Sequence, residues 1–250
     1  MSYTIAISGK GGTGKTTLAA LVIRWLRKTH KGKSILAVDA DPNANLDQAL
    51  GLKSGNSIVA IIDSLAKNPE QLKAGETKER FIEYHIQDSL VEAGGFDLLT
   101  MGRPEGPGCY CYVNNLLRNL IDKLSKSYSY IVIDNEAGME HLSRRTTRIM
   151  DLLFIVSDSS LVGLRSAKRI LDLTRELELV VKDAKLVLNK AGDETSQLKA
   201  EIEALGISLA GVIPEDKKLA GLSRENGDLS SLSTDSQALK AVDKICEGAI

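Results

Sequence analysis

The stretch Gly9-Lys10-Gly11-Gly12-Thr13-Gly14-Lys15-Thr16 constrains this chain more than any other segment. It satisfies G-x-x-x-x-G-K-[ST] at every fixed position, a match that average residue frequencies produce in only about one chain in a hundred of this length. A β-rich run over Tyr3–Ser8 precedes it and a segment of helical period over Lys15–His30 follows it, the strand–loop–helix setting of a phosphate loop. Each residue type has its own reason. Glycines let successive backbone N–H groups turn inward as a nest for phosphate oxygens. Lys15 brings a cation to the β- and γ-phosphates, Thr16 offers a hydroxyl to Mg²⁺, and the helix behind them points its positive end at the same anion. Gly11, Gly12, Thr13, Gly14, Lys15, Thr16 and Thr17 are the expected contacts for ATP or ADP.

Short β-branched runs alternate with longer helical segments along the rest of the chain. That pattern predicts an α/β fold, a doubly wound, mostly parallel sheet with helices on both faces, as one P-loop NTPase domain over residues 1–250. Strands are expected at Tyr3–Ser8, Ser34–Asp39, Phe96–Met101, Tyr130–Asp134, Leu152–Ser157, Ala184–Asn189 and near Ile207–Ile213. Helices are expected at Lys15–His30, Tyr112–Ser125, His141–Met150, Leu161–Leu179, Ser196–Leu205 and Asp235–Glu247. The more polar region Asn56–Gly94 reads as an insertion of short helical stretches on one edge of the sheet. Gly102-Arg-Pro-Glu-Gly-Pro-Gly108 breaks both helix and strand and forms a loop.

Bulk composition narrows the partners. With a net charge of −1, 43% hydrophobic and 26% charged residues, no strong field draws the chain to nucleic acid or to an acidic membrane. The first residues lack the basic leader and long apolar run of a signal peptide, and apolar stretches are strand-sized, short of the ~20 residues that span a bilayer. Three cysteines, an odd number in a chain of this size, suit a reducing, cytoplasmic setting.

Three further segments carry chemistry. Val38-Asp39-Ala40-Asp41-Pro42 ends a strand with carboxylates at i and i+2, both able to face the phosphate loop; an Asx-type turn before proline is the plainer alternative. Tyr130-Ile-Val-Ile-Asp134 is an apolar strand capped by aspartate, as expected for a Walker B strand, so that Asp134 reaches Mg²⁺ through water. Asn189-Lys190-Ala191-Gly192 resembles the Asn-Lys-x-Asp segment of GTPases, but its fourth position is Gly192 and Asp193 is out of register. Adenine is favoured over guanine, with Asn189 touching the base.

Cys109-Tyr110-Cys111 follows the Gly/Pro loop. Thiols at i and i+2 of extended chain lie on one side, within reach of one soft metal ion after modest bending, and are too close for an unstrained disulfide. One chain supplies two ligands, whereas a structural soft-metal site usually takes four, and a two-fold dimer provides the rest. Both cysteines as small core residues remain the alternative. Cys246 lies on the apolar stripe of the last helix and reads as core.

Lys10, together with Gly-Gly-x-Gly-Lys-Thr-Thr, resembles the deviant phosphate loop of the group that includes MinD, ParA, the nitrogenase iron protein and the arsenite-pump ATPase. That resemblance implies a homodimer in which Lys10 reaches across the interface to the partner's nucleotide. It also implies that Asp41 positions the attacking water and Asp39 helps hold hydrated Mg²⁺, with Pro214 and Glu215 as a backbone wall beside the base. The Cys-x-Cys pair and the stretch Asp134-Asn-Glu-Ala-Gly-Met-Glu-His-Leu-Ser-Arg-Arg-Thr146 look like the CooC-type nickel-insertion ATPases, accessory proteins for carbon monoxide dehydrogenase and acetyl-CoA synthase. MinD and ParA relatives usually carry a proline soon after the Walker B aspartate, where this chain has Asn135-Glu136. The implied activity is a nucleotide-driven metallochaperone with Ni²⁺ or Zn²⁺ on Cys109 and Cys111 of each subunit and a nickel enzyme as client, without nucleic acid or membrane as partner. The rivals are a MinD/ParA-like positioning ATPase and an iron–sulfur ATPase with a cluster at the dimer seam.

Overall fold

Alternating burial along the strands decides the layering. In the computed structural model, which describes residues 2–53, 55–73, 75–103, 119–136, 149–192, 198–224 and 227–250, Ile5 and Ile7 of β1 (Tyr3–Gly9) face one side and Ala6 the other. The same period of two sends Ile35 and Ala37 of β2 (Ile35–Ala40) to the first face and Leu36 and Val38 to the second. Both faces of the sheet are therefore apolar and both must be covered.

The sheet has eight strands in the order β3-β4-β2-β5-β1-β6-β7-β8, with β3 (Val91–Ala93), β4 (Phe96–Thr100), β5 (Tyr130–Asn135), β6 (Ile149–Ser157), β7 (Val180–Asn189) and β8 (Ser208–Ile213). Neighbours pair parallel, except β3, which runs antiparallel to β4. Helix α1 (Lys15–Thr29) and the C-terminal helix Gln237–Ala249 cover the first face. After the short α2 (Leu46–Ala49), α3 (Ile58–Lys67) and α4 (Lys78–Ser89) cover one half of the second face. The helices Leu161–Glu176 and Lys199–Ala204 cover the other half. Helix starts follow local chemistry: the hydroxyls of Ser57, Thr77, Ser160 and Ser236 accept the N–H groups of Ala60, Arg80, Gly163 and Leu239, the usual N-cap bond.

The expected fold class is the observed one, and four details differ. Residues 56–94 are more than an edge insertion. Their apolar stripe, with Ile58, Ile61 and Leu65 of α3 and Ile82 and Ile86 of α4, is buried on the sheet, and only β3 lies at the edge. Strand β6 starts at Ile149, so the end of the expected helix His141–Met150 is strand. Met150 is buried and pairs with Val181, and that pairing also starts β7 at Val180 instead of Ala184. Residues 141–148 lie outside the described residues. Of the expected helix Tyr112–Ser125, residues 119–124 are described and helical. The helix Lys217–Arg224 has no counterpart among the expected elements.

Phe154, fully buried in β6 beside β1, is the largest test of the first-face core. Phe154→Ala should lower the unfolding free energy by about 3–5 kcal/mol, read by urea denaturation.

Candidate functional site

β1 lies between β5 and β6, and the chain leaves it at Gly9 into the phosphate loop. Ligands of open α/β sheets bind beyond the carboxyl ends of such strands. Gly9 is needed for closeness: a Cβ there would stand 2.4 Å from the Val156 carbonyl oxygen of β6. Gly12 and Gly14 adopt φ of 79° and 94°, a region that side chains disfavour. The Thr13 hydroxyl and amide both donate to the Lys10 carbonyl, which closes the loop on itself. Thr13 is thereby spent on the loop's shape, while the first amides of α1, which have no intrahelical acceptor, are left for phosphate.

A cleft of about 630 Å³ opens above these groups, within the usual size of a small-ligand site. Gly11, Gly12, Gly14, Lys15, Thr16, Thr17, Asp41, Asn189, Lys190, Pro214 and Glu215, all expected from sequence, line it. Lys10, Asp39 and Asp134, also expected from sequence, are not among its lining residues. Lys15 is 7% exposed; burial lowers its pKa, and the charges of Asp134, Asp41 and Glu136 oppose that shift. Lys10 is exposed.

The magnesium side is built from two residues. The Thr16 hydroxyl donates to Asp134 Oδ2 at 2.6 Å. Asp134 Oδ1 is buried with no hydrogen-bond partner among the described residues. Burial pushes its carboxyl up to about 6, against the Thr16 bond and the Lys15 charge. A buried acceptor of this kind is costly unless a cation or its water meets it, so the donor set fits hydrated Mg²⁺.

Asp39, paired with Asp134 across β2 and β5, is fully buried. Its two oxygens accept the Asp41 amide at 3.1 Å and the Leu46 amide at 2.9 Å. It therefore holds the turn from β2 into α2; burial raises its pKa to about 7 despite the Leu46 bond. Asp41 Oδ1 accepts both the backbone and side-chain N–H of Asn43, so the Asx-type turn is present and Asp41 still lines the cleft.

On the base side, Asn189 Nδ2 donates to the Thr13 carbonyl at 2.7 Å and Asn189 Oδ1 accepts the Lys190 amide. Asn189 thus anchors the phosphate loop, and a Cβ on Gly14 would meet Nδ2 at 2.2 Å. Asp193, Cys109 and Cys111 lie outside the described residues. Among the described residues no group of three or more His, Cys, Asp or Glu side chains could hold a metal ion.

Two contributors went unassigned from sequence. Asn135 Nδ2 donates to the Ile7 carbonyl, fastening the end of β5 to β1 under the loop. Asp216 Oδ1 accepts the Lys218 and Leu219 amides while Oδ2 accepts the Ser236 hydroxyl and the Ala238 amide. One carboxylate thus caps two helices, directly after Pro214 and Glu215 of the cleft lining. Its position before Lys217 is the only local sign of an N-cap.

A parallel sheet with a phosphate loop at its centre and a hydroxyl–carboxylate pair for Mg²⁺ defines a P-loop nucleotide-binding ATPase. Residues 4–229 match the CobQ/CobB/MinD/ParA nucleotide binding domain, and the chain belongs to that family. It is 44% identical over 249 residues, 98% of each chain, to an uncharacterised ATP-binding protein of Methanocaldococcus jannaschii. It is 35% identical over 184 residues, 69% of each chain, to the carbon monoxide dehydrogenase accessory protein CooC of Rhodospirillum rubrum. Among solved structures, a ParA family ATPase from Chlorobium tepidum superposes with a TM-score of 0.75 at 21% identity over 99% of each chain. MinD of Pyrococcus horikoshii, complexed with Mg-ADP, superposes with a TM-score of 0.73 at 24% identity over 99% of this chain and 95% of that one. The fold is theirs.

Two measurements test this geometry. Gly14→Ala adds both the Asn189 clash and left-handed strain, so calorimetry should show Mg-ADP affinity falling more than about tenfold. At Gly12, with no neighbour within 4 Å of a Cβ, only the strain of about 1–2 kcal/mol remains and the loss is smaller. The second concerns Asp216. Burial alone would raise its carboxyl, but the bonds from Ser236, Leu219, Ala238 and Lys218 outweigh that and hold it at about 2, below the ordinary 3.8. Its contribution is therefore complete above about pH 4 and is lost as pH falls toward 2. Asp216→Asn should be less stable than the parent at neutral pH, with the gap closing in acid, in thermal melts across that range.

Proposed function

We propose that this ATPase is a metallochaperone of the CooC type, whose residues 1–250 form one domain, and that it dimerises on ATP and carries Ni²⁺ or Zn²⁺ to a nickel enzyme such as carbon monoxide dehydrogenase or acetyl-CoA synthase. The observation that carries the ATP-driven part is the contrast between two lysines of one loop: Lys15 is buried in the lining of the cleft, whereas Lys10 is exposed and outside that lining. Such an exposed lysine, outside the lining of its own cleft, is available to the nucleotide of a second subunit.

Within each subunit, Lys15 and the first amides of α1 hold the β- and γ-phosphates. Mg²⁺ supplies charge neutralisation on those oxygens when bound, and Thr16 and Asp134, with Asp39 behind them, keep its place. Asp41 orients water for attack on the γ-phosphorus; the bond from that phosphorus to the β–γ bridging oxygen breaks, giving ADP and phosphate. Lys10 of the second subunit stabilises the charge that spreads over the transferring group. Asn189, Lys190, Pro214 and Glu215 enclose the adenine. The metal reading rests on Cys109-Tyr-Cys111 and on the similarity to the Rhodospirillum rubrum protein. Soft divalent ions need thiolates, so loading releases protons and weakens toward acid pH.

Lys10→Ala should cut dimer-dependent ATP turnover by about 10²-fold or more while leaving Mg-ADP binding by the monomer unchanged. Metal analysis with mass measurement of anaerobically purified protein, with and without ATP, should give one nickel or zinc per dimer. Retention of that metal by the Cys109→Ser, Cys111→Ser double variant would sink the site assignment. A brown chromophore would instead indicate the iron–sulfur alternative. ATP-dependent sedimentation with vesicles or duplex DNA would indicate a positioning ATPase, whose fold this chain shares.

A further inference from the structure

A second cleft, of about 760 Å³, lies at the opposite pole of the sheet, beneath the C-terminal turn of α1 and the β3–β4 hairpin. Its charge is one-sided. Residues 24–33 hold Arg24, Arg27, Lys28, Lys31 and Lys33 with no acidic residue, in a chain whose net charge is −1, and four of these cations line the cleft. The two guanidiniums are held in place. Arg24 NH1 donates to the Leu229 carbonyl at 3.0 Å, and Arg27 lies over the Phe96 ring, 5.1 Å from its centre.

Counter-charge within the cleft is nearly absent. Among the described residues, no carboxylate lies within salt-bridge distance of Arg24, Arg27 or Lys33, and Lys28 reaches only Asp243 at 3.6 Å. The one carboxylate in the lining, Asp97, accepts the Tyr128 hydroxyl. Burial and that bond raise the Tyr128 pKa, so its hydroxyl stays protonated. Favourable interaction with the helix dipole explains basic residues in the last turn of α1, Arg27 and Lys28. It does not explain Arg24 a turn earlier, or Lys33 beyond the helix, converging on the same concave space. Low-dielectric walls around like charges concentrate a positive potential there.

We propose that this cleft binds a small, multiply charged phosphate compound, with Arg24 and Arg27 as forked donors to its oxygens and Lys28 and Lys33 as point charges at the rim. Guanidinium pairs fixed by packing suit phosphate, whose oxygens accept paired N–H bonds. Four cations grouped around one open cleft, in a chain of net charge −1, match a compact soluble anion and lack the broad basic surface that a bilayer or a duplex needs.

The nucleotide site also takes phosphate, so the test removes it. In the full-length Lys15→Ala variant, calorimetry with inorganic pyrophosphate in Mg²⁺-free buffer should show one ion bound per chain, with affinity that falls as ionic strength rises. Adding Arg24→Gln and Arg27→Gln should weaken it by about tenfold or more. Because Arg27 packs on Phe96, a second variant, Lys28→Gln with Lys33→Gln, changes only exposed side chains and should weaken binding by a smaller factor, with an unchanged circular dichroism spectrum. No binding to the Lys15→Ala variant, or binding unaffected by both pairs of changes, overturns the proposal. Capture by phosphatidylglycerol vesicles or duplex DNA without pyrophosphate binding overturns it as well, in favour of a macromolecular anion.

Discussion

The hydrogen bond between Thr16 and the buried Asp134 is the contact on which the rest of the site depends. It joins the first turn of α1 to the end of β5, and it exists only because β5 lies next to β1 in parallel register. Asp134 is desolvated there, and its neighbours offset that cost incompletely: the hydroxyl of Thr16 satisfies one oxygen, Lys15 supplies charge, and the second oxygen has no donor among the described residues. A folded protein keeps such an imperfection where it has work for it. Asn135, one residue on, secures the same strand end to the Ile7 carbonyl, so the unsatisfied oxygen is held in a rigid frame and has little freedom to relax away.

Much of this was legible in the sequence because it is local. The phosphate loop declares itself by spacing, and the strand ends at Asp39, Asp134 and Asn189 stand where an apolar run meets a polar residue. The strand periodicity likewise gave the layers, since Ile5 and Ile7 against Ala6 is a pattern within a few residues. What stayed hidden is long-range. The bond from Asn189 to Thr13 joins residues 176 apart, and nothing near either one announces it. That bond gives Asn189 an anchoring role in addition to its place in the lining of the cleft. Asp216 bonds Ser236, 20 positions away, and its second helix cap depends on how the C-terminal helix lands on the sheet. The family resemblance makes Asp39 a magnesium residue, and the tertiary structure adds that each of its oxygens accepts a backbone amide. Residues 56–94 read as an edge insertion by polarity alone, yet their buried stripe covers half a face.

The two clefts share one helix. α1 begins at Lys15 in the nucleotide site and carries Arg24 and Arg27 into the second cleft. Its core contacts run nearly its whole length, from Leu18 to Leu26, so it transmits position as a rod of about 1.5 Å per residue. β2 makes the same journey in reverse, from Ile35 in the lining of the second cleft to Asp39 beside Asp134. Both connections are packed, without a glycine hinge in either element.

Cys246 gives the chain an internal clock. It is wholly enclosed in the C-terminal helix, and burial, with Asp243 and Glu247 nearby, raises its thiol well above the ordinary range. Thiolate is the reactive form, so this sulfur reacts with an alkylating reagent only when the helix leaves the sheet. Its labelling rate therefore times the opening of the first-face core, whereas any thiol that labels fast in the folded protein must be Cys109 or Cys111.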